Sequence, residues 1–229
     1  MNYLEKNVKK YSKKEMASYL DSTNLKPDAT FEEIEKLCSD ALKYQMKGVC
    51  VNPVYIPYVA DRLADTKVLP IAVVGFPLGS NLSLAKAFEA KEAVTQGALE
   101  IDMVMNIGGL IDKKYDLVFE DIKAVVEASS QFPVKVILET CLLSHDQIAI
   151  ATALAHAAGA NFVKTSTGFS KKGATEEHVK LMRKIAPDSM GIKASGGIRS
   201  LEDASKMIEA GATRIGTSAA VEILKEISI

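Results

Sequence analysis

NFVKTSTGFSKKGATEEHVKLMRKIAPDSMGIKASGGIR, residues 161–199, decides the fold. It opens on a short β-rich run, NFVKTS (161–166), and passes into EEHVKLMRKIA (176–186), whose apolar residues recur at helical spacing. It closes on a second β-rich run, GIKAS (191–195), before small residues lead into another helical segment, LEDASKMIEAG (201–211). The same rhythm runs outward in both directions. β-rich runs stand at SYLDST (from 18), GVCVN (from 48), PIAVVGF (from 70), LEIDMVMN (from 99), VKVILET (from 134) and RIGTS (from 214), which with the two above make eight. Helical periodicity fills the spaces between, in FEEIEKLCSDALKY, LSLAKAFEAKEAVTQ, DLVFEDIKAVVEAS and DQIAIATALAHAAG. Alternation of this kind demands a parallel sheet, and several runs are almost wholly apolar, as expected of strands covered on both faces. Eight units in 229 residues predict a single-domain α/β protein, a (β/α)8 TIM barrel. A doubly wound open sheet would show G-x-G-x-x-G after an early strand, and the sequence has none.

The 229 residues are 48% hydrophobic and 25% charged, enough to bury a full core in one domain spanning residues 1–229. A formal net charge of -1 favours neither nucleic acid nor an anionic membrane, so an anionic ligand needs a local site. The lysine-rich start, residues 1–15, reads as a solvated helical segment, with Tyr3, Leu4, Val8 and Tyr11 spaced along it. It holds no apolar leader-like run, and no stretch reaches the roughly 18 apolar residues of a membrane span, so the expectation is a soluble, cytoplasmic protein. Cys38, Cys50 and Cys141 are widely separated and are read as reduced thiols, not as a disulfide framework or a zinc site. Ser144 with Gln147 predicts a capping box, and Gly97, Gly159 and Gly211 stand where helices should end.

A TIM barrel builds its chemistry at the C-terminal ends of its strands, so position along each strand sorts the polar residues. Lys135 and Glu100 open their strands and are assigned to solvent or stability at the bottom rim. Asp102, Lys164 and Lys193 lie within or late in strands four, six and seven and are expected to converge on one pocket. A carboxylate and two ammonium groups inside a barrel are costly unless they pair or serve chemistry, and crowded lysines disfavour protonation of both. A neutral amine beside another cation is the arrangement that forms an imine with a carbonyl, and Asp102 would then move protons. His145, His156 and His178 fall in helical runs, and no His/Asp/Glu group at a strand end has metal-ligand spacing, so no metal is expected. After strands seven and eight, small residues precede helix starts. Backbone N–H groups of Gly196, Gly197 and Ile198, helped by Arg199 and Ser218, predict a phosphate site there.

At these residues the sequence resembles the deoxyribose-phosphate aldolase family. LKPDAT (25–30), VCVNP (49–53), GFPLGSN (75–81), EIDMVMNIG (100–108), FVKTSTGF (162–169), KASGGIR (193–199) and GATRIGTS (211–218) carry the resemblance in order from about residue 16 onward. It implies reversible cleavage of 2-deoxy-D-ribose 5-phosphate to D-glyceraldehyde 3-phosphate and acetaldehyde. It makes Lys164 the imine-forming lysine, Asp102 the proton donor and acceptor, and Lys193 the second lysine that favours the neutral amine. The cationic imine serves as electron sink, so no cofactor is required. It further places phosphate against Gly168, Gly196, Gly197, Arg199, Gly216 and Ser218, lines the pocket with Leu25, Cys50 and Thr167, and suggests a homodimer. The chain departs from the family pattern at Ser22, Asn24, Lys171, Lys172 and Ala219, none of which alters the lysine pair or Asp102. The rival readings are another Schiff-base aldolase or a transaldolase, and a barrel that binds phosphosugars without chemistry.

Overall fold

A computed structural model describes residues 11–228. Its strands are β1 (Leu20–Asn24), β2 (Gly48–Val51), β3 (Leu69–Val74), β4 (Glu100–Val104), β5 (Val134–Ile137), β6 (Phe162–Lys164), β7 (Gly191–Ser195) and β8 (Arg214–Thr217). All pair in parallel with their sequence neighbours, and β8 pairs with β1 to close the barrel. Around it lie α1 (Lys13–Ala17), α2 (Phe31–Tyr44), α3 (Ile56–Arg62), α4 (Ser83–Thr95), α5 (Ile107–Ile111), α6 (Tyr115–Ala128), α7 (His145–Ala157), α8 (Glu176–Ile185), α9 (Leu201–Glu209) and α10 (Ala220–Lys225). The expected (β/α)8 barrel is therefore present. Of the lysine-rich start, residues 1–10 lie outside the described residues, and the described remainder turns helical at Lys13 behind a Ser12–Glu15 capping box.

Local chemistry fixes where the helices begin and end. Ser144 and Gln147 form the expected capping box on α7, and Thr30 with Glu33 and Ser200 with Asp203 do the same for α2 and α9. Gly97, Gly159 and Gly211 follow helix ends at φ +106°, +89° and +112°, a region other residues adopt at a cost. The hydrophobic core lies between the sheet and its helices, formed by the outward faces of the strands and the inward stripes of the helices. Inside the barrel only a small apolar cluster remains, Leu25, Cys50, Ile71 and Val73 on the β1–β3 side. Buried charged side chains from β1 and from β4 round to β8 occupy the other side, with the Phe162 ring beneath two of them.

Candidate active site

Strand register brings the charged side chains together. Asp102 pairs directly with Lys135 across β4 and β5, Lys164 with Lys193 across β6 and β7, and Lys193 with Arg214 across β7 and β8. Asp102 is the hub. Its Oδ2 accepts from Lys164 Nζ at 2.7 Å and from Lys193 Nζ at 2.8 Å, while its Oδ1 accepts from Lys135 Nζ at 2.9 Å. The three predicted catalytic residues thus converge, both lysines donating to one Asp102 carboxylate oxygen. Asp102, Lys164 and Lys193 are all buried.

Four charged residues outside the predicted trio complete the cluster. Lys193 Nζ stands 2.6 Å from Asp21 Oδ2, an ion-pair contact and not a directed hydrogen bond, since that oxygen has no hydrogen-bond partner. Arg214 Nη1 donates to Asp21 Oδ1 at 2.8 Å and to Glu100 Oε2 at 3.0 Å, and its Nη2 donates to Glu100 Oε1 at 3.0 Å. Lys135 Nζ lies 2.6 Å from Glu100 Oε2. Of the two roles expected for Lys135 and Glu100, solvent exposure at the bottom rim is corrected: both are buried, and Lys135 pairs with Asp102. A lysine stem spans nearly two residues of strand rise, so a lysine near a strand's start still delivers its ammonium to the next layer. Asp21 and Arg214 were not singled out from sequence. The signal was present, since a charged residue in a strand covered on both faces is rare unless paired.

The electrostatics follow from this packing. Burial alone would raise the Asp102 carboxyl, but the ammonium groups of Lys135, Lys164 and Lys193 outweigh it and hold the group well below the usual carboxylate range. Burial would likewise push Lys193 down, yet Asp102 and Asp21 hold it above the ordinary lysine value, which favours its ammonium form. Asp21 stays low for the matching reason: Lys193 and Arg214 overcome its desolvation. Cys50 is buried with Sγ 3.9 Å from Asp102 Oδ2, and burial followed by that negative charge pushes its thiol up to about 11.

Above Lys164 opens a cavity of about 430 Å³. Lys164 forms part of its floor, and Leu25, Thr167 and Gly168 line it on the β1 and β6 sides. Gly196, Gly197, Arg199, Gly216 and Ser218, the residues expected to contact phosphate, line it on the β7 and β8 sides. Asp102, Lys193 and Cys50 lie beneath the surface of this cavity and do not line it. Gly168, Gly196 and Gly197 have φ of +88°, +84° and +78°. Among the described residues no acceptor meets the N–H groups of Gly197 and Ile198, and this loop runs into the Ser200-capped start of α9, where the helix favours an anion. Gly216 has an additional part: a Cβ there would stand 2.9 Å from Lys193 Cε, so the glycine makes room for the second lysine. Asn24, noted only as a departure, and Phe169 and Ser195, which drew no attention, also line the cavity. Lys171 and Lys172 are exposed and do not.

Glu139 is a further residue the sequence reading passed over. It follows β5 with a left-handed backbone at φ +55°, is buried, and accepts from the N–H and the hydroxyl of Thr167. Burial raises its carboxyl, and the bonds from Thr167 oppose that shift. Thr167 Oγ1 in turn accepts from Phe169 N at 3.0 Å, so Glu139 fixes the loop that carries Gly168. Among the described residues no group of three or more His, Cys, Asp or Glu side chains is placed to hold a metal ion, and no helix is long and apolar enough to cross a membrane.

The chain matches known proteins over most of its length. The model of the DeoC/LacD family aldolases matches residues 16–225. A deoxyribose-phosphate aldolase of Macrococcus caseolyticus is 55% identical over 210 residues, covering 92% of this chain and 96% of that protein. Deoxyribose-phosphate aldolase 1 of Staphylococcus aureus is 54% identical over 207 residues, covering 90% and 94%. The deoxyribose phosphate aldolase of Aeropyrum pernix, described as having a tetrameric structure, superposes with a TM-score of 0.88 at 35% identity, covering 94% of this chain and 92% of that one.

Proposed function

Because the chain belongs to the DeoC/LacD family of aldolases, we propose that it cleaves 2-deoxy-D-ribose 5-phosphate reversibly to D-glyceraldehyde 3-phosphate and acetaldehyde, through a Schiff base on Lys164. The observation that carries this reading is Lys164 Nζ at the cavity floor, 2.7 Å from Asp102 Oδ2, which Lys193 also contacts at 2.8 Å. In the cleavage direction the neutral amine of Lys164 adds to the C1 aldehyde of the open-chain sugar and water leaves, giving a protonated imine. The C3 hydroxyl loses its proton, the C2–C3 bond breaks, and its electron pair flows into the imine to form an enamine. Glyceraldehyde 3-phosphate departs, the enamine is protonated at C2, and water hydrolyses the imine to acetaldehyde and free Lys164. Asp102, kept as a carboxylate, accepts protons, and the Lys193 ammonium donates them across the same oxygen. The cationic imine is the electron sink.

Phosphate is bound by the Gly196–Gly197 loop at the start of α9, with Gly168, Gly216, Arg199 and Ser218 around it. Leu25 and Thr167 wall the sugar, and Cys50 backs Asp102. The protein acts in the cytoplasm as a homodimer. Support for the dimer is the apolar surface at the start of α4, where Leu82, Leu84 and Phe88 are 80%, 81% and 65% exposed. Light scattering should report twice the chain mass for the wild type and one chain mass for a Leu84→Asp, Phe88→Asp variant.

The deciding experiment treats the protein with acetaldehyde and sodium borohydride and locates the reduced ethyl adduct by mass spectrometry. A single adduct at Lys164, absent from Lys164→Ala, is expected. A folded wild-type protein that traps no adduct would overturn the Schiff-base reading in favour of a binding barrel. Activity with dihydroxyacetone phosphate but not acetaldehyde as donor would assign the same imine to a different aldolase reaction.

A further inference from the structure

Glu100, Lys135 and Arg214 lie under the reacting lysine, reach no part of the cavity and yet are buried charges, which a barrel interior does not hold without compensation. Their contacts trace a closed path. From Arg214 it runs to Asp21 at 2.8 Å, to Lys193 at 2.6 Å and to Asp102 at 2.8 Å. It returns through Lys135 at 2.9 Å and Glu100 at 2.6 Å to Arg214 at 3.0 Å. Positive and negative groups alternate around the ring, so its formal charge is zero. Lys164 touches it through Asp102 alone and faces the cavity.

We propose that this ring is a charge-balancing device in which Arg214, Glu100 and Lys135 are positioning residues: by matching every carboxylate to cations other than Lys164, they place the neutral amine that imine formation needs on Lys164. The inference rests on the Schiff-base reading above. Asp21 and Asp102 are both held low, and Lys193 and Arg214 both held high, in each case against burial, as a fully ionised ring requires. Two other groups face Lys164, and both stand outside the ring. The Cys50 thiol on β2, pushed up to about 11, is neutral, and the Glu139 carboxyl beyond β5 is engaged by Thr167. Beneath the ring the Phe162 ring lies 5.7 Å from Lys135 Nζ and 5.5 Å from Arg214 Cζ, presenting an aromatic surface to both cations.

A ring that balances charge makes opposite demands of its members. Glu100→Gln keeps the side chain's shape and removes one negative charge, leaving the site more positive and favouring the neutral amine. The acid limb of the kcat profile, and of the rate of borohydride-trapped imine formation, should move to lower pH by about one unit. Arg214→Met removes a positive charge and should move the same limb to higher pH by a similar amount, while Arg214→Lys should leave it in place. KM should change little in all three, because none touches substrate. A merely structural ring would lose stability and activity in both charge-removing variants without moving the limbs apart, so limbs that stay put or shift together overturn the proposal. If a single variant fails to fold, Glu100→Gln combined with Lys135→Met, which is again neutral, decides: a limb at the wild-type position supports the ring and a displaced one refutes it. Failure to trap any imine on wild-type Lys164 would instead remove the Schiff-base reading itself.

Discussion

Gly216 shows how finely the second lysine is accommodated. It lies in β8, two residues beyond Arg214, and a methyl group there would come within 2.9 Å of Lys193 Cε and 3.2 Å of Ser195 Cβ. Lys193 has little room to give way, because its ammonium is held by both Asp21 and Asp102. Gly216→Ala is therefore expected to lower kcat by about tenfold, equivalent to roughly 1.4 kcal/mol of transition-state stabilisation, with KM altered less. Steady-state kinetics with 2-deoxyribose 5-phosphate would check this, and an unchanged kcat would mean that Lys193 is not held where the contacts place it. The family resemblance assigned Gly216 only a phosphate contact, because a glycine's effect on a side chain one strand away depends on register. Asp102, Lys164 and Lys193 were legible since each sits late enough in a recognisable strand. Lys135 was misplaced by the same filter, which tracks the Cα and ignores the length of the side chain, and Asp21 was missed because nothing beside it in SYLDST marks its partner 172 residues along the chain at Lys193.

At the scale of elements, the loop after β6 is laid directly on the loop after β7. Ala174 N donates to Ser195 O at 3.1 Å and to Gly196 O at 3.0 Å, and a Cβ on Gly173 would sit 2.0 Å from Gly196 O. Gly173→Ala must push the two loops apart and so disturb the proposed phosphate site more than the lysine pair. The expected result is a rise in KM for the phosphorylated sugar with kcat largely kept, and a loss confined to kcat would contradict it. Removing the α7 cap has a different signature: Ser144→Ala should cost about 1 kcal/mol in chemical denaturation without altering KM. The strands and the six longer helices were readable from their hydrophobic period, with side-chain caps marking the starts of α2, α7, α8 and α9. Two short helices, α3 and α5, escaped notice for local reasons. In α3 a proline stands within the first turn of IPYVADR, and in α5 two glycines weaken IGGLI, whose start depends on Asn106 accepting from Gly109 N. Glu139 was hidden by its left-handed backbone, which a glutamate's sequence context does not announce.

Taken as a whole, the molecule keeps most of its apolar core outside the barrel and its largest cluster of buried charges inside, so its response to acid should be set mainly by that interior. Burial of an ion cluster is a poor source of net stability compared with apolar packing, but removing one partner from it is costly. Asp102→Asn leaves Lys135, Lys164 and Lys193 around a neutral amide and is expected to destabilise the fold at neutral pH by about 3 kcal/mol or more. The pH dependence of that penalty follows from the depressed Asp102 carboxyl. A group whose folded value lies below its unfolded one, roughly 3.9 for aspartate, contributes stability that is fully present above the unfolded value and is lost as pH falls through the folded one. Asp21 is shifted in the same direction by Lys193 and Arg214 and adds to the effect. Wild-type stability, followed by urea denaturation from neutral pH downward, should therefore hold until about pH 4 and then fall steeply as the interior carboxylates take up protons. The Asp102→Asn curve should fall less steeply, so the gap between the two closes with acidification. A gap of constant size down to pH 3 would show that the ammonium groups around Asp102 do not hold its charge, and with it would go the fixed carboxylate on which both the proton transfers and the ring depend.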